Sequence, residues 1–196
     1  KELRDKGSLG KITCFRLMFG GYINMEGSWY ADKAVSGGGV IMDNGPHAFD
    51  LIRYLLGEIE GVSARVRTFQ NITVEDTAQI TGVLKNGAHG IIDVSWTNAL
   101  PSQNYLEIYG EEGCALLDFK GIAYKFKTWD GFKRVDNAGN MKSAFARQID
   151  HFVSAVAGKG RMIVHNDDGL KAQRIIESAY ASLPKGDQYI HETTSA

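Results

Sequence analysis

The chain has 196 residues, 43% of them hydrophobic, and 22 Lys and Arg against 23 Asp and Glu give a formal net charge of -1. That length and composition suit one globular core and exclude a disordered, fibrous or membrane-embedded chain. A balanced charge without a basic stripe gives no reason to expect nucleic acid or an anionic bilayer as partner, which leaves small molecules and other protein surfaces.

The chain opens on Lys1-Glu2-Leu3-Arg4-Asp5-Lys6-Gly7, which reads as the end of a helix stopped by glycine, so something is expected to precede it. Residues 11–19, bounded by glycines and rich in β-branched and aromatic side chains, predict a strand. Residues 20–36 lack a period and read as loop, in which Trp29 and Tyr30 are expected to pack against something. From residue 37 to 56, Val40, Ile41, Ala48, Leu51, Ile52 and Leu55 recur at helical spacing up to Gly57. Pro46 inside that stretch predicts a kink, or a helix that restarts near Asn44.

Five short runs of β-type composition follow, at 62–69, 76–85, 88–97, 105–110 and 115–120. Asn86-Gly87 between two of them is a strong hairpin signal, and strands joined so closely must run antiparallel. Two more pieces, 122–129 and 132–135, flank Asp130-Gly131. Helical period then returns: Phe145, Ile149, Phe152, Val153 and Val156 mark one helix, and 170–183 another, with Asn166-Asp167-Asp168 as its cap and dipole-matching carboxylates. The polar tail from 185 to 196 contains His191. The pattern is an α+β class: an open, largely antiparallel mixed sheet with helices packed on one face and the other face free for a ligand or a second subunit.

Cys14 and Cys114 lie far apart in strand-like runs and read as small core residues in a reducing compartment. With no apolar run near the ~20 residues of a spanning helix, a cytoplasmic location is the simplest expectation.

The densest chemistry lies in Gly37-Gly38-Gly39-Val40-Ile41-Met42-Asp43-Asn44-Gly45-Pro46-His47-Ala48-Phe49-Asp50. Asp43 and His47 are four apart, so on one helix face they can address one ligand. An imidazole can take a hydroxyl proton while a carboxylate binds a neighbouring hydroxyl, which suits an alcohol substrate; a plain exposed helix pair is the alternative. Gly38 and Gly39 would let a ligand approach the backbone closely, although no lysine followed by Ser or Thr makes this a phosphate loop. A metal held by Asp43, His47 and Asp50, with His151 or His165, is conceivable, but no second histidine sits at ligand spacing, and none is expected. His89, His151 and His165 read as surface or hydrogen-bonded residues.

This run, followed by Leu55-Leu56-Gly57, resembles the signature of the glucose-fructose oxidoreductase, inositol dehydrogenase and rhizopine-catabolism (Gfo/Idh/MocA) family. Leu9-Gly10-Lys11-Ile12 is similar to the opening of the family's second domain, Val94-Ser95-Trp96 to a strand of its sheet, and residues 167–180 to its final helix. The resemblance implies that residues 1–196 are the C-terminal substrate-binding and oligomerisation domain of an NAD(P)-dependent dehydrogenase that oxidises a carbinol of a sugar, polyol or related cyclic alcohol. His47 then matches the proton-transfer histidine and Asp43 the acidic residue that orients substrate. Trp29, Tyr30, Gly38, Gly39 and Asn44 would border the substrate, and Asp50 would anchor the helix. NAD or NADP would be bound mainly by an N-terminal Rossmann domain absent from this chain, which carries no cofactor-binding residue of its own; the family's glycine-rich loop and Glu-Lys-Pro lysine are missing. The isolated chain is therefore expected to be inactive, and homo-oligomers are expected through the open sheet face. The alternatives are a non-catalytic binding or assembly module, and a redox-neutral sugar lyase or hydrolase of the same family.

Overall fold

Alternation of apolar and polar residues builds the sheet, as in β3 (Thr77–Leu84), where Ala78, Ile80, Gly82 and Leu84 turn inward and their neighbours outward. The computed structural model describes residues 1–136 and 141–184. The other strands are β1 (Ile12–Gly20), β2 (Ile59–Arg67), β4 (His89–Ser95), β5 (Leu106–Gly110), β6 (Gly113–Asp118), β7 (Gly121–Phe126) and β8 (Lys133–Asp136). They form an open sheet in the order β2-β3-β4-β1-β5-β6-β7-β8. Within it β1 and β4 run parallel, and the remaining neighbours are antiparallel. The sheet is thus mixed and largely antiparallel, as expected. The β3–β4 turn closes with Gly87 donating to the Leu84 carbonyl at a φ of 87°, while Asn86 Oδ1 accepts the Ala88 amide.

The helices are α1 (Glu2–Asp5), α2 (Lys33–Ser36), α3 (Val40–Leu56), α4 (Met141–Val156) and α5 (Asn166–Ala181). α3 lies across the inner face of β1 to β4, and α5 packs on α3 and β2. Val40, Ile41, Ala48, Phe49 and Ile52 of α3 and Ile176 of α5 are fully buried. Each larger side chain among them contributes ~1.5–3 kcal/mol of burial. Among the described residues no helix is long and apolar enough to cross a membrane.

Several expectations are corrected. α3 begins at Val40, not at residue 37, because Gly37 at φ 79° terminates the separate helix α2, which together with a 3-10 turn at Trp29–Ala31 orders the stretch expected as loop. Pro46 does not divide α3. It removes one ladder donor, and Gly45 before it has no Cβ to crowd the ring. The N-cap of α5 is His165, whose amide donates to Asp168 Oδ2 at 2.9 Å, rather than Asn166. Cys14 and Cys114 are free and half-buried rather than core residues; they flank Tyr109 on the outward face, where β1, β5 and β6 place the three side by side. The apolar stripe of α4, Phe145, Ile149, Phe152, Val153 and Val156, faces solvent. On the inner side of β5 to β8, a groove of about 270 Å³ lies open between α1 and Ile108, Leu117, Ile122 and Tyr124. The expectations for the tail after residue 184, His191 included, lie outside the described residues.

Candidate active site

The site is built on the first three turns of α3. Its leading amides, which have no partners within the helix, are taken by one residue of the segment leading into β3. Glu75 Oε1 accepts from Gly39 N and Ile41 N, each at 3.1 Å, and the Glu75 carbonyl accepts from Val40 N at 2.8 Å. Tyr180 of α5 donates its hydroxyl to the same Oε1 at 2.6 Å. Glu75 is fully buried, and among the described residues its Oε2 has no hydrogen-bond partner. Burial raises its carboxyl above the usual carboxylate range, against the pull of the Tyr180 hydroxyl and the amides.

Gly38 and Gly39 are explained by this contact. A Cβ at Gly39 would lie 1.9 Å from the Glu75 carbonyl oxygen, and one at Gly38 would lie 2.1 Å from the Tyr180 hydroxyl. What approaches the backbone so closely on that side is protein. The helix N-terminus, a ready anion site when open, is filled by a carboxylate of the chain itself.

One turn on, Asp43 is partly exposed, and its Oδ2 accepts from Trp96 Nε1 at 3.2 Å. Trp96 is fully buried just beyond β4, and its own amide is held by the Asp76 carbonyl at 2.8 Å. Asp76 is itself buried, its Oδ2 accepting from Phe69 N and Gln70 N. Among the described residues Asp43 Oδ1 accepts nothing, which leaves it for a ligand hydroxyl. Tyr30 meets the Trp96 ring edge-on at 6.4 Å and is stacked by Trp29 at 3.8 Å. The two aromatics therefore pack outward from Trp96, Tyr30 partly buried and Trp29 57% exposed.

His47 is exposed and, among the described residues, forms no hydrogen bond or ion pair. It lines a cleft of about 450 Å³ with Pro46, Asp50, Leu51, Tyr54 and Asp168. Asp43 is not part of that lining; it stands one turn before His47 on the same helix face, with Cβ atoms of such neighbours ~5–6 Å apart. Asn44 is one turn before His47 at the other neighbouring position. Among the described residues no three His, Cys, Asp or Glu side chains are gathered in a geometry that could hold a metal.

Beneath the cleft, Arg53 ties α3 to α5 and to the segment leading into β2, with its side chain only 5% exposed. It binds Glu58 at 3.0 and 3.1 Å, the Asp168 carbonyl at 3.2 Å and carboxylate at 3.3 Å, and Asp50 at 3.5 Å. Asp50 thus contributes an anchoring contact from the cleft wall. The Arg53 guanidinium holds the Glu58 carboxyl below its ordinary value, while the Asp168 carboxyl is lowered first by the His165 amide and then by Arg53. Sequence reading passed over Glu75 and Arg53 and took Trp96 only as a strand residue. The contacts of Glu75 with Ile41, of Trp96 with Asp43 and of Arg53 with Asp168 span 34 to 115 residues, beyond any local pattern, and only the Glu58 and Asp50 partners of Arg53 lie near it in sequence.

Residues 1–116 match the model of the GFO/IDH/MocA C-terminal domain. The scyllo-inositol 2-dehydrogenase (NAD(+)) of Bacillus subtilis is 30% identical over 86% of this chain and 51% of its own length. The D-apiose dehydrogenase of Rhizobium rhizogenes is 26% identical over 95% of this chain and 58% of its own. A solved levoglucosan dehydrogenase, in complex with NADH and levoglucosan, superposes with a TM-score of 0.85 over 92% of this chain and 59% of that one; at 21% identity the likeness is one of fold. The chain therefore spans about half the length of the curated relatives it matches.

Proposed function

This chain belongs to the Gfo/Idh/MocA family of oxidoreductases, and on that premise we propose that it forms the substrate-binding part of a nicotinamide-dependent dehydrogenase acting on a carbinol of a sugar, a polyol or a related cyclic alcohol. The observation that carries this reading is the pairing on one face of α3 of a partly exposed, indole-oriented Asp43 with a solvent-facing His47 that has no partner among the described residues. His47 accepts the proton of the reacting hydroxyl through its free ring nitrogen. Asp43, held at Oδ2 by Trp96, accepts a hydrogen bond from the neighbouring hydroxyl at Oδ1, so two hydroxyls of a polyol are read from one rigid helix. Asn44 borders the same ligand, and the exposed Trp29, steadied by Tyr30, offers an aromatic face to the sugar ring.

A nicotinamide, when bound, serves as the hydride acceptor. Among the described residues, the N-terminus of α3 at the site is taken up by Glu75 and so is not open to the cofactor's pyrophosphate. We assign dinucleotide binding to a part of the protein outside these residues. The solvent-facing apolar stripe of α4 and the open groove beside α1 support that reading, as surfaces such a part would cover. The outward face of the sheet, where Met18, Ile91 and Leu116 lie half-buried among polar neighbours, is assigned to contact with a second copy.

The test is a panel of sugars and polyols offered to the full-length gene product with NAD+ or NADP+, followed by absorbance of the reduced cofactor. Accumulation with at least one polyol is expected. A product formed without net cofactor reduction would move the reading to a redox-neutral lyase or hydrolase. The 196-residue chain alone, titrated with NADH, is expected to show no saturable fluorescence enhancement, and a clear one contradicts the assignment.

A further inference from the structure

Glu75 and Asp76 are consecutive, and between them they grip both partners of the Asp43–Trp96 hydrogen bond. Glu75 takes the three leading amides of α3, at Gly39, Val40 and Ile41. The Asp76 carbonyl takes the amide of Trp96, whose indole holds Asp43. Tyr180 steadies the Glu75 carboxylate from the α5 side. Asp43 stands in the first turn of α3, whose amide is the first to bond back to the Gly39 carbonyl, so a displacement of that turn is passed directly to its carboxylate. Side chains extend ~5–6 Å from a helix axis, and a rotation of about 10° moves such a group by ~1 Å. A movement of that size directed along the 3.2 Å contact carries it out of hydrogen-bond range.

We propose that Glu75 is a positioning residue of the site, whose reach to the Gly39 and Ile41 amides sets the rotation and axial register of α3 and so keeps Asp43 on the Trp96 indole. Its importance for a reaction rests on the reading of Asp43 as the substrate-orienting carboxylate; the contact itself is independent of any substrate. A purely capping role would stabilise the helix without controlling that bond.

The test is a spectroscopic signature in the isotope-labelled chain. Of the three tryptophan indole N–H signals, that of Trp96 is identified by its loss in W96F, and D43N gives the direction in which the signal moves when its acceptor weakens. E75Q preserves the shape and an acceptor oxygen and is expected to leave the Trp96 signal at its wild-type position. E75D keeps the charge but draws the carboxylate back by one methylene. It is expected to move the Trp96 signal in the D43N direction and to speed its solvent exchange about tenfold, the worth of one hydrogen bond, while the Trp129 signal stays in place. E75A is expected to behave like E75D, and if it fails to fold, E75D and E75Q carry the comparison. The proposal is overturned if E75D melts cooperatively with the Trp96 signal unmoved, if E75Q moves it as far as E75D does, or if E75D cannot fold at all. No turnover is measured, so a failure of the dehydrogenase reading and a failure of this proposal give different results.

Discussion

Replacing Gly39 with alanine puts a methyl group where no room exists. The new Cβ would lie 1.9 Å from the Glu75 carbonyl oxygen and 2.8 and 2.9 Å from that residue's backbone carbon and nitrogen. Relief needs a separation of more than about 1 Å to approach ordinary contact, and because the obstacle is backbone, α3 and the segment leading into β3 must part. Three hydrogen bonds of the helix start are then at risk, to Gly39 N, Val40 N and Ile41 N. Buried groups left unsatisfied cost ~1–3 kcal/mol each, so G39A is expected to lose at least ~3 kcal/mol. G38A is the internal control. Its methyl meets the Tyr180 hydroxyl, the far end of a side chain that can swing aside for the loss of one hydrogen bond, a cost of ~1 kcal/mol. Urea unfolding with unchanged slope reads both values. A G39A chain within ~1 kcal/mol of wild type, or a G38A chain as unstable as G39A, would refute the claim that these glycines serve the Glu75 contact.

Other outcomes follow from the same contacts. R53M removes the tie among α3, α5 and the segment leading into β2 and leaves Glu58 and Asp168 without their guanidinium; a loss of ~2–4 kcal/mol is expected by urea unfolding, and a change under ~0.5 kcal/mol, the size of an ordinary surface substitution, counts against it. Because burial raises the Glu75 carboxyl above its ordinary value of 4.5, the folded chain holds that proton more tightly than the unfolded one. The associated stability is present below pH 4.5 and declines as pH rises through the raised value. E75Q, neutral throughout, escapes that decline, so its stability relative to wild type should climb with pH above 4.5, and a flat difference would contradict it. I91D places a charge in the middle of the outward sheet face. Light scattering should find a smaller assembly with the melting temperature of the isolated domain retained; an unchanged assembly state means that this face is not the contact.

The strands were legible because β-branched and aromatic runs bounded by turn residues are written into the segments themselves, and the structure moves their ends by only a few residues, as at β2 and β6. The span of α3 was read from Val40, Ile41, Ala48 and Ile52, yet its start was misplaced, because three consecutive glycines announce close approach without saying what approaches. Here it is Glu75 and Tyr180. Glu75 itself looked like one more turn residue ahead of a strand, since burial of a carboxylate is decided by what packs over it. The period of α4 predicted a helix correctly, but a stripe such as Phe145, Ile149 and Phe152 carries no record of its partner, and in this chain it faces solvent. Asp43 and His47 were visible by spacing, whereas the indole that orients Asp43 comes from 53 residues away.

The most direct test of the account compares the full-length gene product with its H47N and D43N variants on a polyol that the wild-type protein oxidises. Loss of a positioned proton acceptor should lower kcat by ~10²–10⁴-fold in H47N, while D43N, deprived of its charged contact to substrate, should raise KM by about tenfold or more. An H47N enzyme that turns over at the wild-type kcat across the pH range would contradict the central claim that these two side chains of α3 share one alcohol-oxidising site.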